Sequence, residues 1–275
     1  MLQLKEKEIS VIMGVYNCAL TLRESIDSVL AQTYSNWELI ICDDYSTDET
    51  VNIAQLYCER YPEKIRLIRN SKNMGLSYSL NCCLKYARGE YIARQDGDDV
   101  SLSERFEKEA TVLKENPHIS IVSCRMLYFD KNGICGTSTP TKHPTAKDFL
   151  YGTPFCHAPC MVRREAFEAV GGYSTLYKHV RVEDYHLWIK MFALGYRGVN
   201  IQEALYMMRD DSNAFARRKF RYRINESRLI CEVIEEFSLS KTNYIYALRP
   251  LIVGILPKVL YTKLHKRRLN WGAEK

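Results

Sequence analysis

The chain has 275 residues, 46% of them hydrophobic and 26% charged, with a formal net charge of +6. That is the balance of an ordinary soluble globular protein, long enough to bury a full core as one α/β domain, alone or with an appendage. The charge is uneven: residues 215–275 hold 14 Lys/Arg and 5 Asp/Glu, a net +9, which leaves −3 on a mildly acidic body.

Ten cysteines are present, but residues 1–8 are short and charged and do not resemble a signal peptide, so reduced thiols in a cytosol are expected. No cysteine pair has CxxC spacing. Cys156 and Cys160 flank His157, yet no second ligand pair follows at a zinc-site distance.

In chain order, residues 8–15 (EISVIMGV) form a continuous apolar run and predict a buried parallel strand, ending in the turn Tyr16-Asn17. Thr21 and Glu24 have the spacing of a capping box, followed by a helix with Leu22, Ile26, Val29 and Leu30 on one face. Residues 37–42 (WELIIC) predict the next strand, closing on Asp43-Asp44. Ser46 and Glu49 suggest a second capping box, opening a helix to about Tyr61. Residues 64–69 alternate like a strand, and residues 75–87 are amphipathic at helical spacing.

Residues 90–95 begin as a fourth strand, and the chain then places three carboxylates within four residues: Asp96, Asp98 and Asp99. Like charges so close resist burial unless water or a cation neutralises them. The stretch is either a solvated acidic turn or a site for a hard cation such as Mg²⁺ or Mn²⁺ shared with phosphates.

Strands alternating with helices imply a doubly wound, mostly parallel sheet, with ligands beyond the carboxyl ends of the strands. Three such ends carry polar residues: Tyr16-Asn17, Asp43-Asp44 and residues 96–99. Neither a GxGxxG after the first strand nor a GxxxxGK[ST] is present, so a Rossmann dinucleotide site and a P-loop are unsupported.

Beyond residue 100 the pattern predicts a helix over 103–115, a strand over 119–129, a hairpin turn at Lys131-Asn132-Gly133 and a Thr/Pro-rich loop over 136–147. A strand over 156–162 and a short helix over 164–170, closed by Gly171-Gly172, come next. Residues 183–194 predict a helix that buries Leu187, Trp188, Met191 and Phe192 and opens with Glu183-Asp184, where acids complement the helix dipole. A strand over 199–208 then leads to Arg209 and a long polar segment.

Residues 244–264 are strongly apolar but broken by Arg249, Pro250, Pro257 and Lys258, so a spanning helix is not favoured. Apolar bulk beside the basic run 263–268 and Trp271 has the composition of an interfacial anchor on an anionic leaflet, with a helix packed on the body or an oligomer contact as the alternatives; nucleic acid would leave the apolar face without a role.

Taken together, residues 8–210 resemble the family 2 glycosyltransferases of GT-A fold. The resemblance rests on VIMGVYN at 11–17, on DDYSTD at 43–48 with Tyr45 where the family has Gly, and on Asn73-Met74-Gly75 with Asn81. It continues through Arg88-Gly89-Glu90-Tyr91-Ile92, the DxDD element at 96–99 with Arg105 after it, Cys156-His157, Gly171-Gly172-Tyr173 and Glu183-Asp184. It implies a GT-A domain over 1–212 with a small antiparallel part; the composition of residues 213–275, not the resemblance, is what suggests a basic helical extension attached to the cytoplasmic face of the cell membrane. The resemblance also implies an inverting transfer of one sugar from a nucleotide-diphosphate sugar, a UDP-sugar in first place, to a saccharide or lipid-linked saccharide. Mn²⁺ or Mg²⁺ would be held by Asp98 and Asp96, with Asp99 ligating or orienting. Val15, Tyr16, Asn17, Asp43, Asp44, Asn73, Arg94 and Asp96 would bind the nucleotide. Asp184 would be the general base beside Glu183, ionised at neutral pH because it sits at a helix N-terminus. His157 is assigned to the acceptor cleft or to a structural hydrogen bond, and Arg209 to the diphosphate. No QxxRW follows Glu183-Asp184, so a single transfer per encounter is expected, and residues 209–223 replace that motif as a candidate lid. The competing readings are a nucleotidyltransferase and a catalytically silent, membrane-associated relative.

Overall fold

The computed structural model describes residues 7–210 and 219–257. Four parallel strands form its first half: β1 (Ile9–Val15), β2 (Trp37–Asp43), β3 (Ile65–Arg69) and β4 (Tyr91–Arg94). β1 lies between β2 and β4, with Ile12 paired to Ile40 on one side and to Arg94 on the other. Every residue of β2 is buried, as expected for a parallel strand covered on both faces.

The strand period of two divides the apolar side chains between two cores. Val11, Met13, Leu39, Ile41 and Ala93 face α1 (Leu22–Leu30), α2 (Thr50–Arg60) and α4 (Arg105–Glu115). Ile12, Ile40 and Ile92 face α3 (Leu76–Leu84) and a larger cluster that includes Trp188.

The second half adds β5 (Val100–Ser101), β6 (Ile121–Asp130), β7 (Gly133–Thr137), β8 (Met161–Arg163) and β9 (Gly198–Arg209). The order is β3-β2-β1-β4-β8-β6-β9-β5, with β7 paired to β6. β8 runs antiparallel to β4 and β6, and β5 antiparallel to β9, so the parallel sheet carries a small antiparallel part. α5 (Arg164–Ala169) and α6 (Glu183–Ala193) cross one face. α7 (Phe220–Glu236) inserts Leu229, Ile230, Val233 and Ile234 into the cluster around Trp188, and α8 (Leu248–Ile255) packs against it.

Three local expectations are corrected. Thr21 does not cap α1: its hydroxyl donates to the Cys18 and Gly97 carbonyls. Ser46 caps nothing either, because its hydroxyl accepts from Asn17 N, and α2 starts at Thr50, behind Asp48, whose Oδ1 accepts from Thr50 N. The strand expected over 156–162 pairs only from Met161, because the preceding residues turn, with Cys160 N donating to His157 O. The basic run 263–268, Trp271 and the central part of the candidate lid, residues 211–218, lie outside the described residues.

Candidate active site

The carboxyl ends of β1, β2 and β4 share one edge of the sheet. At the β1 end, Val15 O accepts from Asp44 N. Asn17 adopts a left-handed backbone, and its Oδ1 accepts from Thr47 N at 2.8 Å. Tyr45 is also left-handed, the conformation in which glycine has the lowest cost.

Asp43 and Asp44 are buried and engaged within the chain. Asp43 accepts from Ser46 N and pairs with Arg69 at 3.3 Å. Asp44 Oδ1 accepts from Asn70 Nδ2 and Met74 N, and Oδ2 accepts from Gly75 N at 2.7 Å. Asn73 is exposed, and Tyr16 is 51% exposed above the turn.

The acidic turn after β4 is held by side chains from several elements. Gln95 Nε2 donates to the Asp96 and Asp99 carbonyls. The fully buried Arg105 donates to Arg94 O, Ser101 Oγ and Gln95 Oε1. Asp96 N donates to the Tyr206 hydroxyl at 3.2 Å. Arg94, itself buried, pairs with Asp96 Oδ1 at 2.5 Å. Burial alone would draw its proton off, but the Asp96 charge outweighs it and its pKa lies above the ordinary value. Arg209 is spent inside the fold: its N donates to Asp99 Oδ1, its Nε to Asp98 O, and its guanidinium pairs with Glu24.

A cleft of about 840 Å³ joins this turn to the start of α6. Arg94, Asp96, Asp98, His157, Glu183 and Asp184 all line it, so two of the three metal candidates and the general-base candidate face one space. Val15, Tyr16, Asn17, Asp43, Asp44 and Asn73 belong to the adjoining strand ends and turns and are not among its lining residues. His157 Nε2 lies 2.9 Å from the Tyr173 hydroxyl, so it lines the cleft and is also structurally bonded. Burial, reinforced by the Arg94 charge, holds it neutral, well below the usual histidine range.

The helix N-terminus does not set the Asp184 pKa, and the shift runs opposite to the expected direction. Burial, then the Glu183 charge, pushes its pKa up to about 7; the backbone N–H groups and Arg94 pull the other way and lose. Several cleft residues escaped the sequence reading: Arg181, which is left-handed and exposed three residues before Asp184, with Tyr128, Asp148 and Tyr151 on the far wall. A non-glycine at positive φ is uncommon, and it is invisible without coordinates.

Asp96, Asp98 and Asp99 present carboxylate oxygens within 4.8 Å of one another. Asp99 Oδ2 is buried without a hydrogen-bond partner of good geometry, and burial with the charges of Asp96 and Asp98 drives its pKa well above the carboxylate range. Three carboxylates concentrated in this way, one with a buried oxygen left without a hydrogen bond, fit a hard divalent cation.

The Glycosyl transferase family 2 model matches residues 10–171. The chain is 45% identical over 262 residues to the putative glycosyltransferase EpsE of Bacillus subtilis, covering 95% of this chain and 94% of that one. It is 32% identical over 183 residues to WfgD of Escherichia coli, a UDP-Glc:alpha-D-GlcNAc-diphosphoundecaprenol beta-1,3-glucosyltransferase, covering 66% and 69%. Two solved structures share the fold: Staphylococcus aureus TarS 1–349 with UDP-GlcNAc (TM-score 0.65, 18% identity, 96% and 88% covered) and the Pyrobaculum calidifontis mannosyltransferase PcManGT with GDP-Man and Mn²⁺ (TM-score 0.63, 20% identity, 97% and 83% covered).

Proposed function

The chain belongs to glycosyltransferase family 2, with a GT-A fold, and from that membership we propose that it moves one hexose from a UDP-sugar to a hydroxyl of a lipid-diphosphate-linked saccharide, with inversion. The observation that carries this reading is the cleft itself, which is lined both by Asp96 and Asp98 of the acidic turn and by Asp184. UDP as the donor nucleotide and a polyprenyl-linked acceptor are suggested by the relatives named above.

In this reading Asp98 and Asp96 hold Mn²⁺ or Mg²⁺, which when bound supplies positive charge to the departing nucleoside diphosphate. Arg94 keeps Asp96 in position. Tyr16 lies against the base, and Asp44 Oδ2 keeps one acceptor site for the nucleoside. Asp184 takes the proton of the acceptor hydroxyl on the face opposite the leaving group, with Glu183 beside it contacting the acceptor. A pKa of about 7 suits that task, because a base titrating near the working pH is both available and strong enough. Arg181, at the mouth of the same cleft, is placed for the acceptor phosphate.

None of the described helices is long and apolar enough to cross a membrane. Tyr244, Ile245, Leu248, Ile252 and Ile255 nonetheless expose apolar surface on the turn before α8 and on α8 itself. We assign this surface to peripheral contact with an anionic membrane on which the acceptor resides.

The test is to incubate the protein with Mn²⁺, a GlcNAc-diphospholipid and UDP-glucose, UDP-galactose or UDP-GlcNAc in turn. The expected outcome is a β-linked disaccharide lipid with one UDP released per transfer. Pyrophosphate release would instead support a nucleotidyltransferase. Failure to consume any donor sinks the reading.

A further inference from the structure

A second group of metal-type donors stands away from the cleft. His179 ends a short 3-10 turn (Tyr177–His179), His186 lies in the first turn of α6, and Glu232 lies on α7. Their donor atoms fall within 4.8 Å of one another. His179 is 3% exposed, and its Nε2 is buried without a hydrogen-bond partner, as is Nδ1 of His186. A buried ring nitrogen with no partner is costly unless its lone pair is used. The other nitrogen of His179 lies 2.6 Å from Ser174 Oγ. With that hydroxyl accepting from Nδ1–H, the tautomer is fixed and the Nε2 lone pair is directed away, as outer-shell partners do for ligating histidines.

We propose that His179, His186 and Glu232 form a divalent-metal site, suited to Zn²⁺, that ties the 3-10 turn and α6 to α7. Two imidazoles and one carboxylate with room for water are zinc-type ligands, unlike the all-carboxylate set of the cleft. The rings now stack, with centroids 3.7 Å apart and planes 22° from parallel. Two stacked rings cannot both aim in-plane lone pairs at one ion, so loading turns the half-buried His186 ring. The adjoining cavity of about 550 Å³, which His186 lines, gives it room. Lys178 lies 3.5 Å from Glu232 Oε1 and would share that carboxylate with the ion, while Lys190 is already held by the Val170 and Gly172 carbonyls. Glu235 and Glu236 line the same cavity and offset the lysines. Because α6 opens with Glu183-Asp184, an ion here would stiffen the helix that carries the cleft acids.

The test uses the full chain, loaded with Zn²⁺, dialysed against excess Mg²⁺ and assayed for zinc by mass spectrometry. About one zinc per chain is expected in the wild type, retained by Asp98→Asn and lost by His186→Ala and Glu232→Gln. Zinc should also raise the melting temperature of the wild type by ~5 °C and leave that of His186→Ala unmoved. Cobalt provides a readout that does not need the variants to fold, since a four-coordinate site with two imidazoles, a carboxylate and water gives an intense visible band and a six-coordinate all-oxygen site does not. A wild type without retained zinc, zinc undiminished in His186→Ala, or a cobalt adduct without that band overturns the proposal.

Discussion

Asp184→Asn should make the protein more stable and nearly inactive, and the stability gain should itself depend on pH. The wild-type carboxyl is raised from its ordinary 3.8 to about 7. For a dry carboxylate that corresponds to ~4 kcal/mol against the ionised form. Asp184 keeps partial access to cleft water, so ~2 kcal/mol is the expected effect. The sign follows from proton counting. Between pH 4 and 7 the unfolded chain has lost this proton while the folded one keeps it, so stability falls as pH rises through that window and levels off above about 7. The neutral amide removes this dependence. Denaturant titrations of both proteins at pH 5 and pH 8 should therefore show the variant gaining on the wild type at the higher pH. In transfer assays, kcat/KM of the wild type should climb about tenfold per pH unit below 7 and flatten above it, and the variant should lose at least ~10²-fold. A flat rate profile between pH 5.5 and 8.5, or a variant that gains no stability at pH 8, refutes the argument that burial sets the base.

The parallel half of the sheet was legible because burial on both faces leaves a continuous apolar run, and β1, β2 and β4 are such runs. The convergence of Asp96, Asp98 and Asp184 was legible from the order of strand ends and from the family resemblance. The capping boxes misled because a motif names a donor and an acceptor close in sequence, whereas the Thr21 and Ser46 hydroxyls found better partners far away, at Gly97 O and Asn17 N. β8 was overextended for a similar reason: His157 is drawn to the Tyr173 hydroxyl at the cleft wall and leaves the ladder. The Asp184 error was one of magnitude. A helix N-terminus contributes ~0.3–1 kcal/mol at an exposed site, and burial beside Glu183 outweighs it; burial depends on tertiary packing, which sequence spacing does not reveal. Tyr206 was missed because its role follows from the Ser101–Tyr206 pairing of β5 with β9, a contact across more than a hundred residues.

Three further predictions rest on the scaffold and on the acidic turn. Gly89→Ala would bring a Cβ to 2.5 Å from Ser10 N and 2.8 Å from Ile9 C, backbone that cannot step aside, and should cost ~2–3 kcal/mol in urea unfolding; an unchanged midpoint contradicts the packing of that turn on β1. Arg105→Met should cost ~3 kcal/mol through lost bonds to Arg94 O, Ser101 Oγ and Gln95 Oε1. Glu109 adds little to that cost, because burial already raises its pKa to about 8 even with Arg105 alongside, so in the variant it stays protonated. The last prediction ranks the three aspartates of the turn. Asp98 is exposed and lines the cleft; Asp96 lines it too but gives one oxygen to Arg94; Asp99 is buried, receives Arg209 N and does not line the cleft. A cation entering from the cleft therefore meets Asp98 first, and Asp99 serves mainly to hold the turn. Burial and its two acidic neighbours push the Asp99 pKa well above the carboxylate range, so Asp99→Asn, a neutral group of the same shape, removes an unfavourable charge and should leave stability within ~1 kcal/mol. Calorimetric titration with Mn²⁺ and UDP should then give a dissociation constant raised at least ~10-fold by Asp98→Asn and only a few-fold by Asp99→Asn. The reverse order would mean that Asp99 moves into the cleft on binding and that the turn is remade rather than merely filled.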